Sequence, residues 1–257
     1  MSSNGSVIPS IFQRLIQQQR SWSRALDRRL PPDISVDARA YFQEHYIGRL
    51  ITPHSRIYDV GGGRFPSIPQ SQKQLQDLYV VGLDLNLHEL EAAPPGIYDL
   101  ATAADITDFE GKADADFIVS ETVLEHVRDT SKAFHAFRTI LKPGGHALIF
   151  VPCRNAIFAR MNLLLPETWK RRLLSLIYPA TRGSGWPAYY NRCTPSDFRK
   201  LAEDNGFDVV ELKPFYFSAY FQFCFPLYFL WRLWVLLARA VMPEQAAETF
   251  CMCIRKR

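Results

Sequence analysis

The sequence predicts a doubly wound α/β domain on a seven-stranded, mostly parallel sheet. Short apolar runs recur at intervals of roughly 20–30 residues with helix-length segments between them, the spacing of right-handed βαβ crossovers. Several of these runs stop abruptly at an aspartate or a glycine, as strands do where they give way to loops at one sheet edge. A length of 257 residues holds one such domain with insertions.

Residues 1–54 are expected to form a helical N-terminal lid ahead of the domain proper at 55–257. Ile8, Ile11, Phe12, Leu15, Ile16, Trp22 and Leu26 fall at helical spacing over residues 8–30, and Pro31 and Pro32 stop that helix. A second helix is expected over 36–50. The first strand, Arg56–Val60, runs into Asp59-Val60-Gly61-Gly62-Gly63. The second, Leu78–Leu83, ends at Asp84; Ile97–Thr102 is a weak third, and Asp116–Ser120 a fourth. One helix should then run from about Thr122 to Leu141 and stop at Lys142-Pro143-Gly144-Gly145. Ala147–Val151 is the fifth strand, ended by Pro152. Residues 153–190 read as an insertion with a helix around Glu167–Ile177. Thr194 caps the next helix and Pro195 takes its first position, with Gly206 ending it after Asn205. Phe207–Leu212 and Thr249–Ile254 are the sixth and seventh strands, separated by a second insertion at about 215–243.

A formal charge of +4 is too mild for a nucleic-acid binder, so no nucleic-acid partner is expected. The basic clusters, Arg14, Arg20, Arg24, Arg28 and Arg29, then Lys170–Arg172 and Arg255–Arg257, read as solvated surface. Five cysteines lack metal-ligand spacing and suggest no disulfides, which favours a reducing, cytoplasmic compartment. Cys251 and Cys253 alternate on one strand and should share a buried face. The N-terminus has no basic region followed by an apolar core, so a signal peptide is not expected.

The chemistry gathers where strands end. Gly61, Gly62 and Gly63 let the backbone approach a ligand, and the helix N-terminus that should follow offers free N–H groups. Asp84 ends the next strand, 25 positions after Asp59, where an acid can accept from both hydroxyls of a ribose. Asp105, in Ala104-Asp105-Ile106-Thr107, follows the third strand and is placed to meet an adenine amino group. Three loops on one sheet edge thus supply the parts of a nucleoside pocket.

RIYDVGGG, VVGLDLN, AADITDF, DFIVSETVLEHV and ILKPGGHALIFVP, in this order and spacing, resemble the successive motifs of class I S-adenosylmethionine-dependent methyltransferases. The LEHV and LKPGG segments resemble the subgroup acting on small molecules and lipids. The resemblance covers residues 55–152 closely and Tyr190–Leu212 more loosely. It implies a Rossmann-like methyltransferase fold with S-adenosylmethionine as cofactor. It puts the methionine part on Gly61–Gly63, ribose on Asp84 with Leu85, and adenine on Asp105 and Ile106. Asp59 would order the loop and reach the cofactor's amino group, while Ser120 and Glu121 would line the methionine side. The sequence departs from the family pattern at Phe65, which replaces a third glycine. Thr122 stands where related enzymes with a metal carry a glutamate, so no metal is expected.

The expected reaction is direct displacement of a methyl group onto a small acceptor, which demands mainly alignment and exclusion of water. His126 is the candidate general base. Tyr189, Tyr190 and Arg192 lie in the insertion that should roof the acceptor pocket. Residues 214–231 contain no charge and are rich in Phe, Tyr and Trp. Pro226, Ser218 and Gln222 interrupt the run, and the chain must return to place its last strand, so a membrane crossing is not expected. Residues 215–242 are expected instead to give peripheral contact with the inner face of a membrane, or a homodimer, with Arg232 and Arg239 reaching anionic phosphates. Two rivals to a methyltransferase are a nicotinamide-dependent oxidoreductase, disfavoured by the absence of Gly-x-Gly-x-x-Gly, and a methyltransferase-like binding subunit without turnover.

Overall fold

The computed structural model describes residues 11–165 and 186–257. The helix expected at 167–177 and the Lys170–Arg172 cluster lie outside the described residues. Helix α1 (Ile11–Asp27) comes first. The stretch expected as a second helix is continuous but irregular: α2 (Ala38–Tyr41) passes through a π-helical segment, Phe42–Ile47, into α3 (Gly48–Leu50). Seven strands follow, β1 (Arg56–Val60), β2 (Tyr79–Asp84), β3 (Leu100–Ala103), β4 (Ala115–Glu121), β5 (Leu141–Pro152), β6 (Phe207–Phe215) and β7 (Thr249–Lys256). Between them lie α4 (Gln70–Gln76), α5 (Leu87–Glu91), α6 (Thr130–Ile140), α7 (Ile157–Leu164), α8 (Pro195–Asp204) and α9 (Phe225–Val241).

The strands form a single sheet in the order β3-β2-β1-β4-β5-β7-β6. All neighbours are parallel except β7, which is antiparallel to both β5 and β6. One face packs Ile118, Ile149, Phe134, Phe137 and Phe198 into a core against α6 and α8. The other packs Phe42, Tyr46, Val80, Val119 and Leu148 against the segment 38–50. Cys251 and Cys253 are buried together on that second face, as their alternation requires. None of the five cysteines is paired.

The structure corrects the helix expected from Thr122 to Leu141, which is broken. Thr122 has φ +54°, a left-handed conformation that no helix interior accepts. A short 3₁₀ turn at Leu124–His126 follows, and the helix begins only at Thr130. Asp129 causes the restart by accepting from the N–H groups of Ser131 and Lys132 as an N-cap. Lys142–Gly145, expected as a helix stop, instead opens β5 as an irregularity in its pairing with β4. Thr194 and Gly206 act as the sequence indicates, the first accepting from the Asp197 N–H and the second at φ +77°.

Helix α1 does not roof the sheet edge. It packs on α9, where its polar residues satisfy groups that α9 brings inside. Gln19 Oε1 accepts the Phe225 N–H, and Asp27 accepts the Tyr228 hydroxyl. Asp27 also forms an ion pair with Arg232 at 3.2 Å, at an angle that is not that of a hydrogen bond. The Arg232 guanidinium, 2% exposed, donates further to the carbonyls of Tyr216 and Ile34 and to the Ser35 hydroxyl. The expectation that Arg232 reaches lipid phosphates is therefore overturned: its charge is neutralised indoors. Removing Asp27 would leave a buried cation short of its counter-charge, at a cost of about 3–5 kcal/mol. Asp27→Ala should lower the Tm by more than roughly 6 °C in calorimetry. Asp33→Ala, which frees the partly exposed Arg239, should change stability by less than about 1 kcal/mol.

Candidate active site

The strand order reverses between β1 and β4, so their crossovers leave in opposite directions and open a crevice beyond the carboxyl ends. A cavity of about 610 Å³ occupies that place, within the range of small-molecule sites. Gly61, Asp84, Leu85, Asp105 and Ile106 line it on one side, and His126 and Tyr189 on another. Its wall thus joins five segments that lie far apart in sequence.

Gly61 turns the chain out of β1 at φ +75°, donating its N–H to the Leu83 carbonyl at 2.7 Å. A Cβ there would run into the Val123 side chain, and one on Gly62 would meet the Asp59 carboxylate. The loop is therefore bare backbone by necessity. Asp59 stands behind it, fully buried, and accepts the Ser67 N–H at 2.8 Å through Oδ2, which holds the far end of the loop. Its Oδ1 is buried without a partner, and burial pushes its pKa up to about 6. Asp59 is not among the described lining residues.

Asp84 is half-buried, and its carboxyl pKa is raised by burial. Oδ1 accepts the Asn86 N–H, and Oδ2 lies on the side of Gly63, within 3.2 Å of where a Cβ would stand. Leu85 and the buried Ile106 provide apolar surface on either side. The exposed Asp105 binds its own loop, accepting the N–H and hydroxyl of Thr107 through Oδ1, which leaves Oδ2 for a ligand. These residues fit an adenosyl group: a carboxylate for a diol, flat apolar walls for a purine, and an acceptor for its amine.

The end of β4 differs from expectation. Ser120 is fully buried with an unpartnered Oγ, and Glu121 is drawn away by Arg39 Nε at 2.5 Å and Gln43 Nε2 at 2.7 Å. The described lining there is Thr122 and Val123 instead. Thr122 holds its φ of +54°, a strain of about 1–3 kcal/mol, against an N–H bond to the Phe150 carbonyl. Nothing in the spacing of the sequence marks that residue.

His126 lines the cavity. Its Nδ1 is 3.0 Å from the Pro187 carbonyl, which assigns the proton to Nδ1 and leaves the Nε2 lone pair free. Burial lowers its pKa, so the ring is neutral near pH 7. Nε2 is 3.8 Å from Oε1 of Glu125, whose own pKa burial pushes up to about 8. The Glu125 carbonyl accepts the N–H groups of both Tyr189 and Tyr190, tying the late segment to the 3₁₀ turn. Tyr189 lines the cavity with the Arg128 guanidinium 5.0 Å above its ring. Tyr190 is instead buried in the core, and Arg192 is not among the described lining residues. Arg128, Lys132 and Trp186 also line the cavity and escaped sequence reasoning, since their loops are adjacent only after folding. No described residue of 11–54 lines it, so the described part of the expected lid lies elsewhere. Among the described residues no group of three or more His, Cys, Asp or Glu is placed to hold a metal.

Asp59 gives a pH test of this geometry. Its folded value of about 6 lies above the ordinary 3.8, so folding favours the protonated form. That contribution is complete below pH 3.8 and vanishes as pH rises past about 6. Asp59→Asn keeps an acceptor for Ser67 and has no such dependence. Between pH 4 and 7 the wild type should lose about 2 kcal/mol relative to this variant in chemical denaturation. Parallel stability curves would contradict the buried carboxyl.

A family model described as a methyltransferase domain matches residues 15–212. The chain is 27% identical over 212 residues to methyltransferase ptaI of Pestalotiopsis fici, covering 75% of this chain and 59% of that one. It is 27% identical over 142 residues to the ubiquinone biosynthesis O-methyltransferase of Cupriavidus pinatubonensis, covering 52% of this chain and 53% of that one. The chain thus spans a little over half the length of these relatives. Phosphoethanolamine N-methyltransferase 2 of Haemonchus contortus, solved with S-adenosylmethionine, has a similar fold, with a TM-score of 0.53 at 16% identity over 97% of this chain and 60% of that one. Matched over most of its length, the chain belongs to the methyltransferase-domain family and has the fold of S-adenosylmethionine-dependent methyltransferases.

Proposed function

We propose that the protein transfers the methyl group of S-adenosylmethionine to a small acceptor, hydrophobic or membrane-embedded, by direct displacement. The observation that carries this reading is the crevice itself, which joins a glycine loop, Asp84 and Asp105 with a neutral histidine across one cavity. The cofactor supplies an electrophilic methyl group on a sulfonium. Gly61–Gly63 would leave room for its methionine part, Asp84 would accept from the ribose hydroxyls, and Leu85 and Ile106 would flank the adenine. His126 Nε2, unprotonated and facing the cavity, would take a proton from the acceptor as its nucleophilic atom forms the new bond to carbon and the carbon–sulfur bond breaks. Most of the rate would come from alignment and from excluding water behind Tyr189 and Trp186.

The relative named for ubiquinone biosynthesis supports a small-molecule acceptor. Unpaired cysteines suit a reducing, cytoplasmic location, and no helix among the described residues is long and apolar enough to cross a membrane. The reading is of a cytoplasmic protein able to work at the inner face of a membrane, with no nucleic-acid partner.

Asp84→Ala should weaken S-adenosylmethionine binding by roughly tenfold to a hundredfold in calorimetry, about 1.5–3 kcal/mol. Unchanged affinity would remove Asp84 from the ribose site. His126→Ala should lower kcat by roughly a hundredfold or more while leaving cofactor affinity intact, once an acceptor is in hand. Because burial lowers the imidazole pKa, the wild-type rate should be level at neutral pH and fall only below the ordinary histidine range. A rate that declines already between pH 8 and 7 would exclude this base.

A further inference from the structure

Helix α9 is built with its polarity reversed. Its two charged residues, Arg232 and Arg239, both turn toward the protein, the first to Asp27 and the second to Asp33. The opposite face carries Leu230, Leu233, Trp234, Leu237 and Val241, with Leu230 63%, Trp234 55% and Leu237 59% exposed. At about 100° per residue these lie across the helix from the buried Tyr228, Trp231 and Val235. Helix α1 extends the patch. Ile11, Leu15 and Trp22 are exposed along one side of it, and Trp22 packs edge-on against Phe225, which in turn meets Phe229. An apolar surface of this extent is costly to leave in water.

Basic residues follow on the same helix and the turn after it, with Arg14 flanking the apolar side of α1 and Arg24 farther round. Arg14, Arg24, Arg28 and Arg29 are exposed on α1 and the turn after it, and none has an ion-pair partner among the described residues. The single acid of α1, Asp27, is engaged with Arg232. We propose that the α1–α9 face docks on an anionic membrane surface, with α9 lying in the headgroup plane and the α1 arginines against lipid phosphates. Phe221 and Trp231 are buried, so the contact is made by Leu230, Trp234 and Leu237. A bilayer suits the face better than a second copy of the chain. A twofold dimer would bring two arginine-rich helices together with no free acid on α1 to answer them. The helix lies on the membrane and does not span it: 17 residues reach about 25 Å, less than a hydrocarbon core.

The test is flotation of the full-length protein with vesicles of phosphatidylcholine alone or mixed with phosphatidylglycerol. The wild type should float with the anionic vesicles, less with the neutral ones, and less as salt rises. Changing Leu230, Trp234 and Leu237 together to serine should weaken binding at least roughly tenfold without lowering the Tm, since these side chains already face water. Arg14→Ala with Arg24→Ala and Arg28→Ala should abolish the preference for anionic lipid. Wild-type protein that stays soluble with both vesicles overturns the proposal. So does a dimer, seen by sedimentation velocity, that the triple-serine variant dissolves, because the face would then join two copies. S-adenosylmethionine affinity, measured alongside, should be unchanged in every variant, so failure of the docking face is distinguishable from failure of the proposed reaction.

Discussion

The crossover that carries the chain from β1 outward to β2 and β3, and the one that brings it back to β4, leave the same point of the sheet in opposite directions. That reversal leaves the carboxyl ends of β1 and β4 with no helix directly above them. Every functional feature inherits its place from this gap. Gly61 turns sharply at φ +75° and must lack a side chain because Val123 fills the space beside it, and Asp84 borders Gly63 because β2 is paired to β1 with Asp59 opposite Gly82. The strained Thr122 also sits there, at the point where β4 must deliver the chain into a wall and not into a helix.

Around the gap, burial governs the charges. Asp59 and Glu125 are both nearly inaccessible, and each has one carboxyl oxygen without a partner. Desolvation raises both carboxyl pKa values and lowers that of His126, so Glu125 and His126 are neutral near pH 7, whereas Asp59, pushed up to about 6, still ionises below that pH. A neutral imidazole with its Nδ1 proton fixed on a backbone carbonyl is what acid–base work at Nε2 requires. The same low polarity makes the site suitable for a cationic sulfonium, whose interaction with fixed acceptors strengthens as water is excluded.

The second charge problem lies on α9, and the chain solves it with its N-terminal helix. Helix α9 carries a guanidinium inward, and α1 arrives with Asp27 to meet it. This contact explains why the described part of the N-terminal segment does not cover the cavity: its polar face is committed to α9. It also explains why the apolar face of α9 remains outside, since the inward side is already occupied by Tyr228, Trp231 and Arg232.

The sequence by itself determined the sheet, its seven strands and the loops that end them, because those signals are local. Alternation of apolar runs, the glycine triplet after Asp59, Asp84 after β2 and the Thr194-Pro195 helix start each act within a few residues of where they are read. Tertiary structure alone decided the rest. Thr122 adopts its left-handed turn through a bond to Phe150, and Glu121 faces away because Arg39 and Gln43 reach it from the N-terminal segment. Arg232 looked like a surface cation beside an apolar helix, since nothing near it in sequence could neutralise it. Its counter-charge lies 205 positions earlier, at Asp27, and only folding brings the two within reach. A charge is drawn inside or left in water by the partners that meet it in space, which a local pattern cannot record.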